Sequence, residues 1–140
     1  LLTGGHRPKE FDRGYFFSPT IFDRVRSDME IVTEESFSPV IPVQKVDSLD
    51  EAIQMSNATK YGLGCTIFTK DIERAMNAAD KIKSGTVCIN SPLMENIAAP
   101  FGGMKQSGIG REHGIDALDE FREAKHIYID YEHNKKSWWF

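Results

Sequence analysis

Between positions 40 and 90 the sequence alternates short β-branched runs with capped, amphipathic helical stretches, and this alternation restricts the fold more than any other feature. Val40-Ile41-Pro42-Val43-Gln44-Lys45-Val46 reads as a strand. Ser48-Leu49-Asp50-Glu51 follows in capping-box form, a Ser at the cap and a Glu three residues on. The helix it opens is predicted to run to about Asn57, with Leu49, Ala52 and Ile53 on its buried face. Tyr61-Gly62-Leu63-Gly64 then turns the chain into a strand over Cys65-Thr66-Ile67-Phe68-Thr69. From Asp71 onward, Ile72, Ala75, Met76, Ala79 and Ile82 recur at the spacing of a buried helical stripe. Lys81 and Lys83 lie near the negative end of that helix dipole, and Gly85 stands where a cap is expected. Thr86-Val87-Cys88-Ile89-Asn90 is the next strand. Successive strand–helix–strand passages call for parallel pairing through right-handed crossovers. The expected fold class is therefore α/β, a mostly parallel sheet with flanking helices.

The flanks are less regular. Gly14 precedes Tyr15-Phe16-Phe17-Ser18-Pro19-Thr20-Ile21-Phe22, a strand in which Pro19 implies an edge or a bulge. Ser91 to Gly110 follows neither period, and loops of that length in a compact domain are usually functional. A short helix near His113 to Phe121 and a strand over His126-Ile127-Tyr128-Ile129-Asp130-Tyr131 are predicted beyond it. The tail ends Trp138-Trp139-Phe140, which is expected to pack on something such as a second subunit. At 140 residues the chain fits one ordinary domain. A net charge of -4 argues against a nucleic-acid footprint. No apolar run approaches the roughly 20 residues of a membrane span, and the start carries no basic-then-apolar leader. With only two cysteines a reducing, cytoplasmic setting is the expectation. The opening Leu1-Leu2-Thr3-Gly4-Gly5 lacks a Met, which reads equally as a chain cut from something longer or a trimmed start.

Few residues carry chemistry on type and spacing alone. Cys65 and Cys88 sit among apolar neighbours and read as structural filler, because a reactive thiolate needs electropositive, accessible surroundings. His6, His113, His126 and His133 have no metal-ligand spacing, so no metal site is expected. The segment Gly102-Gly103-Met104-Lys105-Gln106-Ser107-Gly108-Ile109-Gly110-Arg111 lacks both the Walker spacing and the third Gly of a dinucleotide fingerprint, which favours a sharply turning structural loop. Glu34-Glu35-Ser36-Phe37-Ser38-Pro39-Val40 admits two readings. One is a solvated turn with Phe37 in the core. The other uses Glu35 as a two-bond acceptor for a vicinal diol, with Phe37 near a flat ring.

Taken together, the blocks carry a resemblance. Gly14 to Phe22, Glu34 to Val40, Lys60-Tyr61-Gly62-Leu63, Ile67 to Asp71, Gly85-Thr86-Val87 with Ile89-Asn90, and Pro100 to Glu112 stand in an order and spacing that strongly resembles the C-terminal part of the NAD(P)-dependent aldehyde dehydrogenase superfamily. The resemblance implies a partial catalytic domain over residues 1–125, followed by an oligomerisation strand and aromatic tail over 126–140. It implies that Glu35 holds the nicotinamide-side ribose and that Phe37 borders the nicotinamide ring. It places Phe101 as the aromatic wall near the aldehyde and Leu93, Met94 and Glu95 in the variable substrate loop. It implies self-association through Ile127 to Ile129, a use of edge-strand backbone hydrogen bonds. The chain departs from the family pattern at Ser38, where a Gly is usual.

In the family mechanism a thiolate attacks the aldehyde, hydride passes to the nicotinamide, and a Glu-activated water releases the acid. The resemblance puts the nucleophilic Cys, the general-base Glu, the oxyanion Asn and the phosphate-binding segment upstream of Leu1. No catalytic residue is therefore assigned, and this chain alone is expected to be inactive and to bind neither NAD nor NADP tightly. A stand-alone structural or oligomerisation protein is the alternative, and an independent nucleotide-binding module the weakest reading.

Overall fold

The computed structural model describes residues 1–92 and 96–131. Strand β1 (Thr20–Phe22) pairs in parallel with β2 (Val40–Pro42), Thr20 opposite Val40 and Phe22 opposite Pro42. A short helix, α1 (Glu30–Thr33), lies in the connection between them. Helix α2 (Leu49–Ala58) leads to a second parallel pair, β3 (Gly64–Ile67) with β4 (Thr86–Ile89), joined through α3 (Ile72–Lys81). A 3-10 turn over Lys105–Ser107 and a last helix, α4 (Asp116–Asp119), complete the order. The class is α/β, parallel strands with flanking helices, as expected.

The caps explain why the two long helices start where they do. Ser48 Oγ accepts from the Glu51 amide at 3.1 Å, and Glu51 Oε2 accepts in return from the Asp47 amide at 2.8 Å. Asp71 Oδ1 accepts from the Arg74 amide at 3.0 Å. The Ser48 and Asp71 side chains each satisfy an orphan donor of a first turn, a contribution of about 1 kcal/mol. Asn57, near the end of α2, locks the two helices together. Its Nδ2 donates to the Lys81 carbonyl at 2.9 Å and its Oδ1 accepts from the Lys83 amide at 2.7 Å.

That clamp supplies what Gly85 was expected to supply. The chain leaves α3 in an extended conformation at Ile82, and Gly85 does not cap it. The pairing also differs from expectation. Strands β2 and β3, the ends of the first predicted passage, belong to separate pairs, and β2 pairs with β1 instead. The strands are shorter than their apolar runs. Pro19 has no N–H to donate, so β1 begins at Thr20, and Tyr15, Phe16 and Phe17 stay exposed. Pro42 ends the β2 ladder for the same reason.

The helix expected over His113 to Phe121 shrinks to α4, because His113 and Gly114 hold φ of 62° and 63°, outside helical space. Within the irregular stretch from Ser91 to Gly110, the 3-10 turn was not foreseen. His126 to Tyr131 forms no strand pairing among the described residues, and Ile127, Tyr128 and Ile129 are exposed.

The buried apolar core among the described residues is small: Ile53, Ala75 and Ala78. The α3 stripe is only half correct. Ala75 is buried, whereas Ile72 and Met76 are 65% and 58% exposed, so the helix closes on its narrow alanine side and leaves its bulkier side open. Cys65 and Cys88 are likewise half-buried rather than fully enclosed. The accessible surface totals 12141 Å². A self-contained monomer of 15.9 kDa exposes about 7,300 Å². Much apolar surface is thus uncovered in this chain by itself. No helix among the described residues is long and apolar enough to cross a membrane.

Candidate functional site

The glycine-rich segment after β4 is a fastener. The Gly62 carbonyl accepts from both Gly85 N (3.0 Å) and Met104 N (2.8 Å), and the Gly62 amide donates to Ser107 Oγ at 2.9 Å. Gln106 N donates to the Lys60 carbonyl at 3.0 Å, and Lys105 Nζ to the Thr59 carbonyl at the end of α2 at 2.8 Å. Phe101 and Glu112 exchange two backbone bonds of 2.7 Å, closing the loop at its base. Arg111 Nη1 donates to the Gly103 and Gly110 carbonyls at 3.0 and 2.6 Å. The amides of Met104, Gln106 and Ser107 donate to carbonyls and so are not free to hold a phosphate.

This fastener brings two open clefts side by side. One, of about 600 Å³, is lined by Glu35, Phe37, Thr59, Tyr61, Gln106 and Ser107, together with Leu63, Gly64 and Cys65. The other, of about 630 Å³, is lined by Phe101, Pro100, Ala99, Asn96, Thr86 and Cys88, again with Leu63, Gly64 and Cys65. The turn into β3 is therefore a wall common to both. Phe37 is 94% exposed with φ of 46°, and Glu35 makes no hydrogen bond or ion pair among the described residues. The reading that put Phe37 in the core is thereby corrected: the ring faces outward. Ser38 keeps a negative φ, so a serine in place of glycine strains nothing there. Leu93, Met94 and Glu95 lie outside the described residues, as do Trp138, Trp139 and Phe140.

Electrostatics make Cys65 a weak candidate nucleophile. Burial, and secondarily the neighbouring Cys88, pushes the Cys65 thiol above its ordinary range. A thiol held neutral is a poor nucleophile. On the native protein, iodoacetamide alkylation of Cys65 followed by mass spectrometry against pH should reach half its maximal rate above the pH of a free cysteine. Half-maximal alkylation near neutrality would mark it as an activated sulfur. Among the described residues no group of three or more His, Cys, Asp and Glu could hold a metal ion.

Sequence reasoning missed the shared wall. Leu63, Gly64 and Cys65 were legible as a turn and a strand, but their position between two clefts depends on the distant 100–107 loop. It missed Ser107 and Gln106 as cleft residues for the same reason. The nearest available signal was the polar Gln106-Ser107 pair between glycines.

Comparisons with known proteins agree with this fold. The profile described as "Aldehyde dehydrogenase family" matches residues 1–127. Betaine aldehyde dehydrogenase of Bacillus subtilis is 46% identical over 130 residues, covering 91% of this chain and 26% of that protein. Cytosolic 10-formyltetrahydrofolate dehydrogenase of Xenopus tropicalis is 42% identical, covering 94% and 14%. Among solved structures, the NAD+ complex of aldehyde dehydrogenase from Bacillus cereus superposes with a TM-score of 0.86 at 46% identity, over 93% of this chain and 26% of that one. Betaine aldehyde dehydrogenase from Staphylococcus aureus in complex with NAD+ gives 0.88 at 42% identity, over 100% and 28%. The chain spans about a quarter of the length of the first of these relatives. A profile matched across almost all of the sequence, with its fold reproduced at this identity, places the chain in the aldehyde dehydrogenase family.

Proposed function

We propose that the chain is the C-terminal part of the catalytic domain, residues 1–125, of an enzyme that oxidises aldehydes to carboxylic acids with NAD(P)+. Residues 126–140 then form its oligomerisation strand and tail. The observation that carries this reading is the common wall: the cleft of Glu35 and Phe37 and the cleft of Phe101 meet at Leu63, Gly64 and Cys65. Hydride transfer requires a flat cofactor ring and a substrate carbon in van der Waals contact, and two clefts that meet along one shared edge suit that geometry.

The residues present fit a dinucleotide's ribose end. An unengaged carboxylate can accept two hydrogen bonds from a vicinal diol, and an exposed phenyl ring offers a flat apolar face to a heteroaromatic ring. When bound, the nicotinamide supplies the hydride acceptor. Glu35 then orients the ribose, Phe37 limits the ring's travel, and Phe101 excludes water from the aldehyde side. The thiol nucleophile and the base that activates water are assigned to the rest of the enzyme. Of the family members compared, two are NAD+ complexes of aldehyde dehydrogenases, which supports a nicotinamide cofactor here.

Three measurements test this. The purified 140-residue chain should give no NADH from any aldehyde and no specific heat on titration with NAD. Aldehyde-dependent NADH from it overturns the assignment of the nucleophile elsewhere. In the complete dehydrogenase, Glu35→Gln should lower kcat/KM for NAD about tenfold to a hundredfold, the worth of a hydrogen bond to a charged acceptor. An unchanged value overturns the role of Glu35.

A further inference from the structure

We infer that the Glu34–Lys60 ion pair is a positioning latch for the Glu35–Phe37 corner, holding one carboxylate of the adjacent pair so that the other stays open to a ligand diol. The inference rests on the proposed cofactor role of Glu35. Lys60 Nζ stands 2.6 Å from Glu34 Oε2 across 26 positions of sequence. Both ends of that link are anchored. The Glu34 amide donates to the Glu30 carbonyl at 2.8 Å, closing α1, and the Lys60 carbonyl accepts from Gln106 at 3.0 Å in the fastening loop. The ammonium also lies 5.4 Å from the centroid of Tyr61, whose side of the chain lines the same cleft as Glu35 and Phe37.

Attachment to Glu34 keeps the Lys60 ammonium off Glu35, which has no hydrogen bond or ion pair among the described residues. The pairing holds the Lys60 ammonium above its ordinary value, so the latch stays charged through the neutral range. Loss of Glu34 would free Lys60 to capture Glu35 and compete with the diol.

The test uses the complete dehydrogenase, with NADH titration and steady-state kinetics in Glu34→Lys, Lys60→Glu and the double charge swap. Each single reversal should raise the Kd for NADH and the KM for NAD about threefold to fivefold, with kcat changed less than twofold. The double swap and Lys60→Arg should return both to within twofold of the parent. Raising ionic strength should shrink the difference between parent and singles. Singles that leave the affinity unchanged, or a double swap that fails to restore it while Glu35→Gln still weakens binding, overturn the latch and leave the cofactor site standing. If Glu35→Gln itself changes nothing, the cofactor reading falls and the latch with it.

Discussion

Purified by itself, the 140-residue chain should associate, bind a hydrophobic dye and melt without a sharp transition. Its 12141 Å² of accessible surface exceeds that of a closed monomer of the same mass by about 4,800 Å². A standard protein–protein interface covers about 800 Å² on each partner, so the excess is several interfaces' worth. It is also apolar in the places that matter: Ile72 and Met76 on α3, Phe68 after β3, and Phe121, Ile127 and Ile129 near the end of the described chain are all exposed. Contiguous apolar areas beyond a few hundred Å² rarely stay bare in water. Light scattering across a concentration series should therefore report a mass that rises with concentration. A concentration-independent monomer with cooperative unfolding would show instead that this small core suffices.

The second large effect belongs to Gly85→Ala. A Cβ at that position would lie 1.6 Å from the Gly102 carbonyl oxygen and 2.8 Å from its carbon. Both are backbone atoms, and the segment that carries them is fixed by the bonds from Met104 to Gly62 and from Gln106 to Lys60. Relieving the clash means breaking several bonds worth about 1 kcal/mol each. A loss of about 3 kcal/mol or more is expected, at the upper end of overpacking. Gly64→Ala is the matched control, since a Cβ there meets nothing within 4 Å. Denaturant midpoints in the complete protein should fall steeply for the first variant and stay within about 0.5 kcal/mol of the parent for the second. Equal behaviour of the two would mean that the 100–107 loop is not pinned against the start of β4.

What the sequence disclosed and what it withheld divide by the range of the interaction. The cap of α2 was legible because Ser48 and Glu51 bond within three residues, and α3 begins next to the Asp71 from which its stripe was read. The α/β class followed from alternation alone. Strand partnership was not legible: β2 joins β1 rather than β3, a choice made by packing between distant segments. Helix α1 was invisible because its cap, Met29, makes no side-chain bond and it spans a single turn. The purpose of Gly85 was misread because its partner, Gly102, lies far along the chain. For the candidate site, Glu35, Phe37 and Phe101 came from the resemblance of ordered blocks. The wall between their clefts, and the Glu34–Lys60 bridge beside them, needed coordinates.

The corner at Phe37 has a consequence of its own. An L-residue with a φ of 46° adopts a torsion that glycine or asparagine would tolerate with less penalty. A large benzyl group kept there, turned away from the interior, weakens the polypeptide slightly, and under the proposed cofactor role that bend is what presents the ring to the cleft. Less ordering is then left to be done at encounter with a guest molecule. At this single bend, robustness of the scaffold and readiness for its guest pull in opposite directions.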